Sequence, residues 1–99
     1  MTIYRCRPLN LDEVRYIGVS SVDPHGIGIE VQAGDGSYVL DIYKWRDGRS
    51  TTCLGSAESA FEIDLDDLNR IIARCLSDLS DWEAKLRVPD GPWAKEDTA

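Results

Sequence analysis

The sequence predicts an α+β fold, in which an antiparallel sheet of four or five meander-ordered strands carries one long C-terminal helix packed on one face. Two observations predict it. Apolar residues recur every three or four positions from residue 65 to residue 86, which is the periodicity of one helical face. Upstream, short segments of alternating polar and apolar residues are separated by Asp-Gly pairs, which favour tight hairpin turns.

The first quarter of the chain predicts short elements. Residues 3–6 read as an edge strand. Asn10 and Glu13 have the spacing of a helix cap and its third helical residue, which favours one helical turn. A strand is predicted at residues 16–22. The Asp-Pro-His-Gly run at residues 23–26 predicts a turn, because Pro fixes one central dihedral and Gly closes the chain reversal.

The Asp35-Gly36 pair predicts a two-residue turn between strands at residues 27–33 and 38–45. The turn length sets the register of this hairpin, and that register collects the apolar side chains on one face. The members of that face are Val31 opposite Leu40, Ile29 opposite Ile42, and also Ala33 and Tyr38.

The Asp47-Gly48 pair predicts a second two-residue turn, followed by a strand at residues 49–54. This register places Cys53 opposite Ile42 and adds the cysteine to the same apolar face. One helix covers only one face of a sheet, so the second face is left for another partner. The predicted members of the second face are Ile17, Val19, Glu30, Gln32, Val39, Asp41, Tyr43, Trp45 and Leu54.

Phe61 to Asp64 predicts a last short strand, and Asp64 is the predicted cap of the long helix. The apolar helical face consists of Leu65, Leu68, Ile72, Cys75, Leu76, Leu79, Trp82 and Leu86. Pro89 ends the helix. These features predict one domain over residues 1–88 and a flexible tail over residues 89–99. Residues 1–15, or the tail with Trp93, are alternative covers for the second face of the sheet.

The net charge of −7 argues against direct nucleic-acid or anionic-membrane binding. Most of this charge lies in residues 51–99, which contain eleven acids and five bases. No apolar run is long enough to cross a bilayer, and the N-terminal segment lacks the apolar core of a secretory signal. Three widely spaced cysteines fit a reducing compartment, so the cytoplasm is the expected location.

Catalytic, metal-binding and cofactor sites are not predicted. His25 is the single histidine. A nucleophile and base set can be drawn from it with Asp23, a nearby serine (Ser20 or Ser21) or Cys53, but a polar residue in a Pro-Gly turn needs no catalytic reason. The cysteines lack the short paired spacing of zinc ligands. We therefore expect no enzyme, no metal and no cofactor.

An acidic run contains Glu58, Glu62, Asp64, Asp66 and Asp67. One interpretation is a negative patch that meets a basic partner. The other interpretation is that these acids only stabilise the helix, because the helix dipole favours anions at a helix N-terminus.

The function predicted from these features is that of a small acidic protein-binding module, such as an inhibitor, an immunity-type protein or an anti-defence protein. It covers a basic or aromatic-accepting surface of its partner without catalysis. The predicted contact residues are Tyr43 and Trp45, with steering charges at Glu58, Glu62, Asp66 and Asp67. The alternative is a homodimeric structural or chaperone-like protein that associates through the second sheet face.

Overall fold

The computed structural model of the chain describes residues 6–20, 25–54 and 60–94. The predicted strand at residues 3–6 lies mainly outside these residues, and the predicted turn at residues 23–26 lies partly outside them. The described elements, in chain order, are β1 (Arg7–Pro8), a 3₁₀ helix (Leu11–Glu13), β2 (Arg15–Ser20), β3 (Gly26–Gln32), β4 (Tyr38–Trp45), β5 (Ser50–Leu54), β6 (Phe61–Glu62) and α1 (Leu65–Leu86).

The main sheet has four antiparallel strands in the order β2-β3-β4-β5, so each strand pairs with the next one along the chain. A separate pair, β1 with β6, is parallel. The long helix α1 packs on one face of the main sheet, against β3 and β4. The predicted α+β class, with an antiparallel meander and one C-terminal helix, is confirmed.

The first hairpin does not have the predicted two-residue turn. The backbone N–H of Ala33 donates to the carbonyl of Ser37 at 2.8 Å and Gly36 has a φ of 87°, so the loop has three residues.

A bulge offsets the longer loop and restores the predicted register beyond it. Val31 lies opposite Leu40 and Ile29 lies opposite Ile42. Near the turn, Gln32 lies opposite Tyr38, so Val39 is an extra residue on β4 and forms a β-bulge. Because of the bulge, two residues lie on the face of the sheet opposite to the predicted one. Val39 is buried on the helix side, where it lines a cavity with Phe61, Ile63 and Leu68, and Tyr38 moves to the opposite face.

The second hairpin is one residue out of the predicted register. Its loop has three residues, because the backbone N–H of Trp45 donates to the carbonyl of Arg49 at 2.9 Å, and Gly48 has a φ of 99°. This is a type I turn closed by a glycine in the left-handed region, a common hairpin connection that also uses Asp-Gly. Cys53 therefore lies opposite Asp41 instead of Ile42 and is exposed on the face away from α1. Leu54 lies opposite Leu40 and moves to the helix side.

The helix begins as predicted at the Asp64 cap, whose Oδ2 accepts hydrogen bonds from the backbone N–H groups of Asp66 at 3.1 Å and Asp67 at 3.4 Å. Its buried face is centred on Ile71, Cys75 and Leu79. The prediction omitted Ile71 and placed Leu65 and Leu76 on the face instead. Those two leucines are 73% and 41% exposed, because they are turned about 80–100° around the helix axis from Cys75 at about 100° per residue.

Trp93, from the predicted tail, is among the most buried side chains, with 2% of its surface exposed. The chain turns back after the helix, and the backbone N–H of Trp93 donates to the carbonyl of Leu86 at 2.8 Å. The Arg87 guanidinium lies 5.3 Å from the centroid of the Trp93 ring and donates to the carbonyl of Arg46 at 2.7 Å. Trp93 thus belongs to the core, while residues 95–99 lie outside the described residues.

Candidate functional site

The face of the main sheet that points away from α1 is the candidate functional site, and we call it the open face. None of its described residues belongs to the hydrophobic core cluster, which lies between the sheet and α1 and also takes in Leu9, Leu11, Val14 and Trp93. These four residues come from the described parts of the two predicted covers, and they pack on the helix side of the sheet. Its described residues are Arg15, Ile17, Val19, Gly26, Gly28, Glu30, Gln32, Tyr38, Asp41, Tyr43, Trp45, Thr51 and Cys53.

Two aromatic rings lie flat on this face, and we call Tyr43 and Trp45 the aromatic platform. Each ring covers a glycine on the neighbouring strand, since Tyr43 pairs with Gly28 and Trp45 pairs with Gly26. A Cβ added to Gly28 would come within 2.8 Å of the Tyr43 ring. The same addition at Gly26 would come within 2.7 Å of the Trp45 ring. Glycine in a strand commonly marks such a close approach, and an aromatic neighbour compensates for the missing side chain.

The platform is held in place by ring stacking and by one hydrogen bond. The two ring centroids are 5.6 Å apart with an interplanar angle of 20°. The indole Nε1–H of Trp45 donates to Thr51 Oγ1 at 2.8 Å. Burial, and then the charge of Asp41, raises the pKa of the Tyr43 phenol, so this ring stays uncharged. The result is a flat, rigid and partly exposed apolar surface.

An acidic row borders the platform on the next register position of the sheet. Glu30 and Asp41 are directly opposite each other on β3 and β4. Among the described residues, no lysine or arginine forms a salt bridge with either of them. Two like charges at opposed positions destabilise a sheet. This arrangement favours a cationic group from outside the chain.

Neighbouring side chains orient the acidic row. Gln32 Nε2 donates to Glu30 Oε2, and Asp41 Oδ1 accepts the backbone N–H of Cys53 at 3.1 Å. The hydroxyl of Tyr38 donates to the carbonyl of Cys53 at 3.0 Å. Burial, followed by the nearby Asp41 carboxylate, raises the pKa of Tyr38 to about 12. Tyr38 is therefore a neutral hydrogen-bond donor at physiological pH.

The structure brings together only part of the predicted contact set. Tyr43 and Trp45 are adjacent, whereas Glu62, Asp66 and Asp67 lie on β6 and the first turn of α1, on the helix side of the sheet. That turn is at the end of the sheet near Leu40 and Leu54, while the Trp45 end is next to the last turn of α1. Glu58 lies outside the described residues. Asp67 forms a 3.2 Å ion pair with Arg70.

Sequence reasoning missed the two glycines as part of this site. Gly26 and Gly28 were assigned to the turn and to the start of a strand, without a role on the open face. The first-hairpin register already placed Gly28 opposite Tyr43 and Gly26 opposite Trp45, and that pairing is the signal that identifies them. The sequence analysis places Glu30 and Asp41 on the second face without a role, although the same register puts them opposite each other.

The other chemistry-bearing residues form no cluster in the described part of the chain. His25 is exposed, and its carbonyl accepts the backbone N–H of Arg46 at 2.7 Å. The nucleophile and base set drawn with Asp23 or Ser21 involves positions outside the described residues. Across residues 6–20, 25–54 and 60–94, no group of three His, Cys, Asp or Glu residues is placed to hold a metal ion. In those same ranges, no helix has the length and apolar composition needed to span a bilayer.

Comparisons with known proteins gave no matching family model, no similar curated protein and no similar solved structure. The geometry of the open face is therefore the basis on which a function can be inferred.

Proposed function

We propose that this chain is a small acidic protein-binding module that covers a basic surface of a partner protein with its open face. It acts by occlusion, as an inhibitor or immunity-type protein does, and performs no catalysis. The observation that carries the proposal is the position of the aromatic platform beside the Glu30–Asp41 acidic row, on a sheet face that no described residue of the core covers.

Aromatic rings and carboxylates at adjacent positions suit an arginine or lysine side chain. A guanidinium over an aromatic ring contributes about 0.5–2 kcal/mol, more when it is desolvated. A carboxylate beside the ring accepts charge-assisted hydrogen bonds from the same group. Tyr and Trp are also the residue types most enriched at energetically important interface positions. The open face therefore offers both halves of a cation-binding surface.

The acids at the start of α1 contribute at longer range. Glu62, Asp66 and Asp67 do not share a surface with the platform, so they do not contact the same partner side chains. Together with the net charge of −7, they attract a basic partner and raise its association rate at low salt.

A direct test uses a small cationic probe and its neutral match. We expect N-acetylarginine amide to shift the amide resonances of Gly26 and Gly28 and the indole N–H of Trp45 in an NMR titration. N-acetylcitrulline amide has the same shape without the charge, and it should produce much smaller shifts. Equal shifts with both probes, or shifts confined to the helix side, would contradict the proposal.

Two double variants with the same change in net charge locate the binding surface. Glu30→Gln with Asp41→Asn should abolish the response to the arginine probe. Asp66→Asn with Asp67→Asn should leave it unchanged, because these acids are remote from the platform.

For a protein partner captured from host lysate and then purified, the first pair should weaken equilibrium binding. The second pair should mainly slow association, and more so at low salt.

The alternative of a homodimer closed through the open face is less compatible with this geometry. A two-fold contact places the same patch on both copies. Both acidic rows would then lie within the contact, and an unpaired buried carboxylate is costly. We therefore do not propose the open face as a self-association surface.

A further inference from the structure

The edge strand β5 lacks the features that normally protect a sheet edge. Its sequence, Ser-Thr-Thr-Cys-Leu, contains no charged residue and no proline, and all five residues are exposed. No bulge interrupts its pairing with β4. Natural sheets block free edges with charges, prolines or bulges, because an unprotected edge pairs with another strand.

Three residues of β5 direct their backbone hydrogen-bonding groups outwards. Backbone groups of alternate residues point to the same side of a strand. The carbonyl of Arg49 and the N–H of Cys53 both bond to β4. The groups of Ser50, Thr52 and Leu54 therefore point to the open edge, and within the described part of the chain no backbone partner lies beside them.

An apolar groove of about 360 Å³ runs beside this edge, between β5 and α1. Its walls include Leu40, Ile42 and Leu54 from the sheet and Leu68, Ile72 and Leu76 from the helix. The two flanks of α1 differ. On the β2 side the Arg74 guanidinium covers the Tyr16 ring at 3.9 Å, whereas on the β5 side the flank is apolar and Leu54 is 75% exposed.

The two ends of this edge carry opposite charges. The Leu54 end lies near the start of α1, in the part of the chain that contains Glu62, Asp64 and Asp66. The Ser50 end has Lys44 on the paired strand and Arg46 and Arg49 in the preceding turn, where Arg49 pairs with Asp47 at 2.8 Å, so this end is basic on balance. An antiparallel copy of the same edge therefore places its basic end beside the acidic end, and its acidic end beside the basic end.

We infer that β5 is a self-association surface, on which two copies of this chain pair antiparallel about a two-fold axis at Thr52. Thr52 then faces Thr52 of the second copy, Ser50 faces Leu54, and Thr51 faces Cys53. The small Ser50 leaves room for the leucine, whose side chain enters the groove beside Leu76. The Thr52 hydroxyl already donates to the carbonyl of Asp41 at 2.6 Å, so the pairing across the axis depends on the backbone groups. The dimer has a continuous eight-stranded sheet, built from two four-stranded ones, with both helices on one side.

This inference does not depend on the proposed function, because β5 pairing leaves the aromatic platforms of both copies exposed on the other side of the sheet. A loss of arginine-probe binding with an intact dimer would reject the proposed function alone. A monomer that still binds the probe would reject the dimer alone.

The first experiment measures the mass of the protein in solution over a range of concentrations by sedimentation velocity. We expect a dimer that dissociates on dilution. Thr52→Lys and Thr52→Glu should each be monomeric, because the substitution places like charges opposite each other at the two-fold axis. An equimolar mixture of the two variants should restore a dimer. A wild-type monomer at all concentrations, or a mixture that stays monomeric, would overturn the inference, and so would dimeric single variants.

Disulfide trapping gives a second readout that leaves Thr52 in place. Thr51→Cys should form a reducible dimer with Cys53 of the second copy, because the two residues are opposed in the inferred register. Ser50→Cys is the matched control, since it faces Leu54 and points to the other side of the sheet, and it should cross-link far more slowly. Equal cross-linking of both variants, or of neither, would contradict the register.

Discussion

Trp45 lies so close to Gly26 that a Cβ at position 26 would approach two carbons of the indole ring to 2.7 Å. Tyr43 and Gly28 repeat this relationship one step along the same strands, at 2.8 Å. The aromatic platform is therefore in direct contact with the backbone of β3. Its flatness depends on the absence of two methyl groups, and a single added carbon can test it.

Gly28→Ala should destabilise the protein by about 1 kcal/mol or more, because the new methyl group forces the Tyr43 ring away from the sheet. Gly18→Ala is the matched control on the other face. There the Cβ would lie 3.5 Å from Trp82, an ordinary contact, so alanine should be neutral or stabilising by about 0.5 kcal/mol through the unfolded chain. Urea unfolding measures both. Equal effects would show that the Tyr43 ring moves aside freely.

Trp93→Ala should reduce the free energy of unfolding by about 3–5 kcal/mol, as expected for removal of a fully buried tryptophan. Leu65→Ala is a suitable control because its side chain is 73% exposed, and it should change stability by no more than about 0.5 kcal/mol. Thermal and urea unfolding followed by far-UV circular dichroism would measure the difference. A Trp93 variant as stable as the Leu65 variant would mean that residues 89–94 do not belong to the folded unit.

Acid should weaken the contact between the N-terminal segment and the β3–β4 turn. Arg7 Nη1 donates to Asp35 Oδ2 at 2.8 Å, and hydrogen bonds from Arg7 and then Ser37 hold the pKa of Asp35 well below its usual value. A carboxyl group with a lowered folded pKa stabilises the protein above its unfolded pKa of about 3.9. This contribution is lost as the pH falls further, through the folded pKa.

We therefore expect the melting temperature of wild-type protein to fall more steeply below about pH 4 than that of Asp35→Asn, in which this carboxyl group cannot titrate. The asparagine keeps the oxygen that accepts the N–H of Ser37, so the turn itself is preserved. Parallel pH profiles for the two proteins would show that the ion pair with Arg7 contributes nothing measurable.

The three thiols should differ in their reactivity with iodoacetamide. Cys75 is fully buried and burial raises its pKa to about 11, so it should react only after unfolding. Cys53 is exposed, but the charge of Asp41 raises the pKa of its thiol. Asp41→Asn should therefore speed the alkylation of Cys53 near pH 8, because more of this thiol is then ionised.

Cys6 is the internal control in this experiment, since it is exposed and the Asp41 substitution should leave its alkylation rate unchanged. Peptide mapping by mass spectrometry separates the three sites. A Cys53 rate that is independent of Asp41 would indicate that solvent screens the carboxylate.

Much of the fold could be predicted because turn chemistry and apolar periodicity agreed. Asp64 was recognisable as a cap from its position before the helix. The predicted pairing of Val31 with Leu40 is present, but only because the bulge at Val39 offsets a loop that is one residue longer than predicted. The second hairpin was predicted one residue out of register. Asp-Gly fits both a two-residue turn and a three-residue turn closed by glycine, and the local sequence does not distinguish them.

The remaining differences depend on contacts between distant residues. The bulge at Val39 turns two successive apolar residues towards α1, where the extra side chain packs beside Phe61 and Ile63. Trp93 is buried because the chain folds back on Leu86 after the helix, and a short proline-containing and glycine-containing segment gives no periodic signal for this. The aromatic residues of the open-face site were predicted from the sequence pattern. The two glycines can be recognised only from the strand register, which places them opposite the aromatic rings.

Arg87 connects three parts of the molecule that are far apart in sequence. It pairs with Glu83 at 2.9 Å in the last helical turn, covers the ring of Trp93 and bonds to the carbonyl of Arg46, next to Trp45. The helix terminus is thereby fastened to the turn that supports the aromatic platform. A partner that binds the platform would restrain this turn, and the effect should be transmitted through the sheet as slower amide hydrogen exchange at the end of α1. The end of α1, which lies on the other side of the sheet from the platform, would thus report whether the platform is occupied.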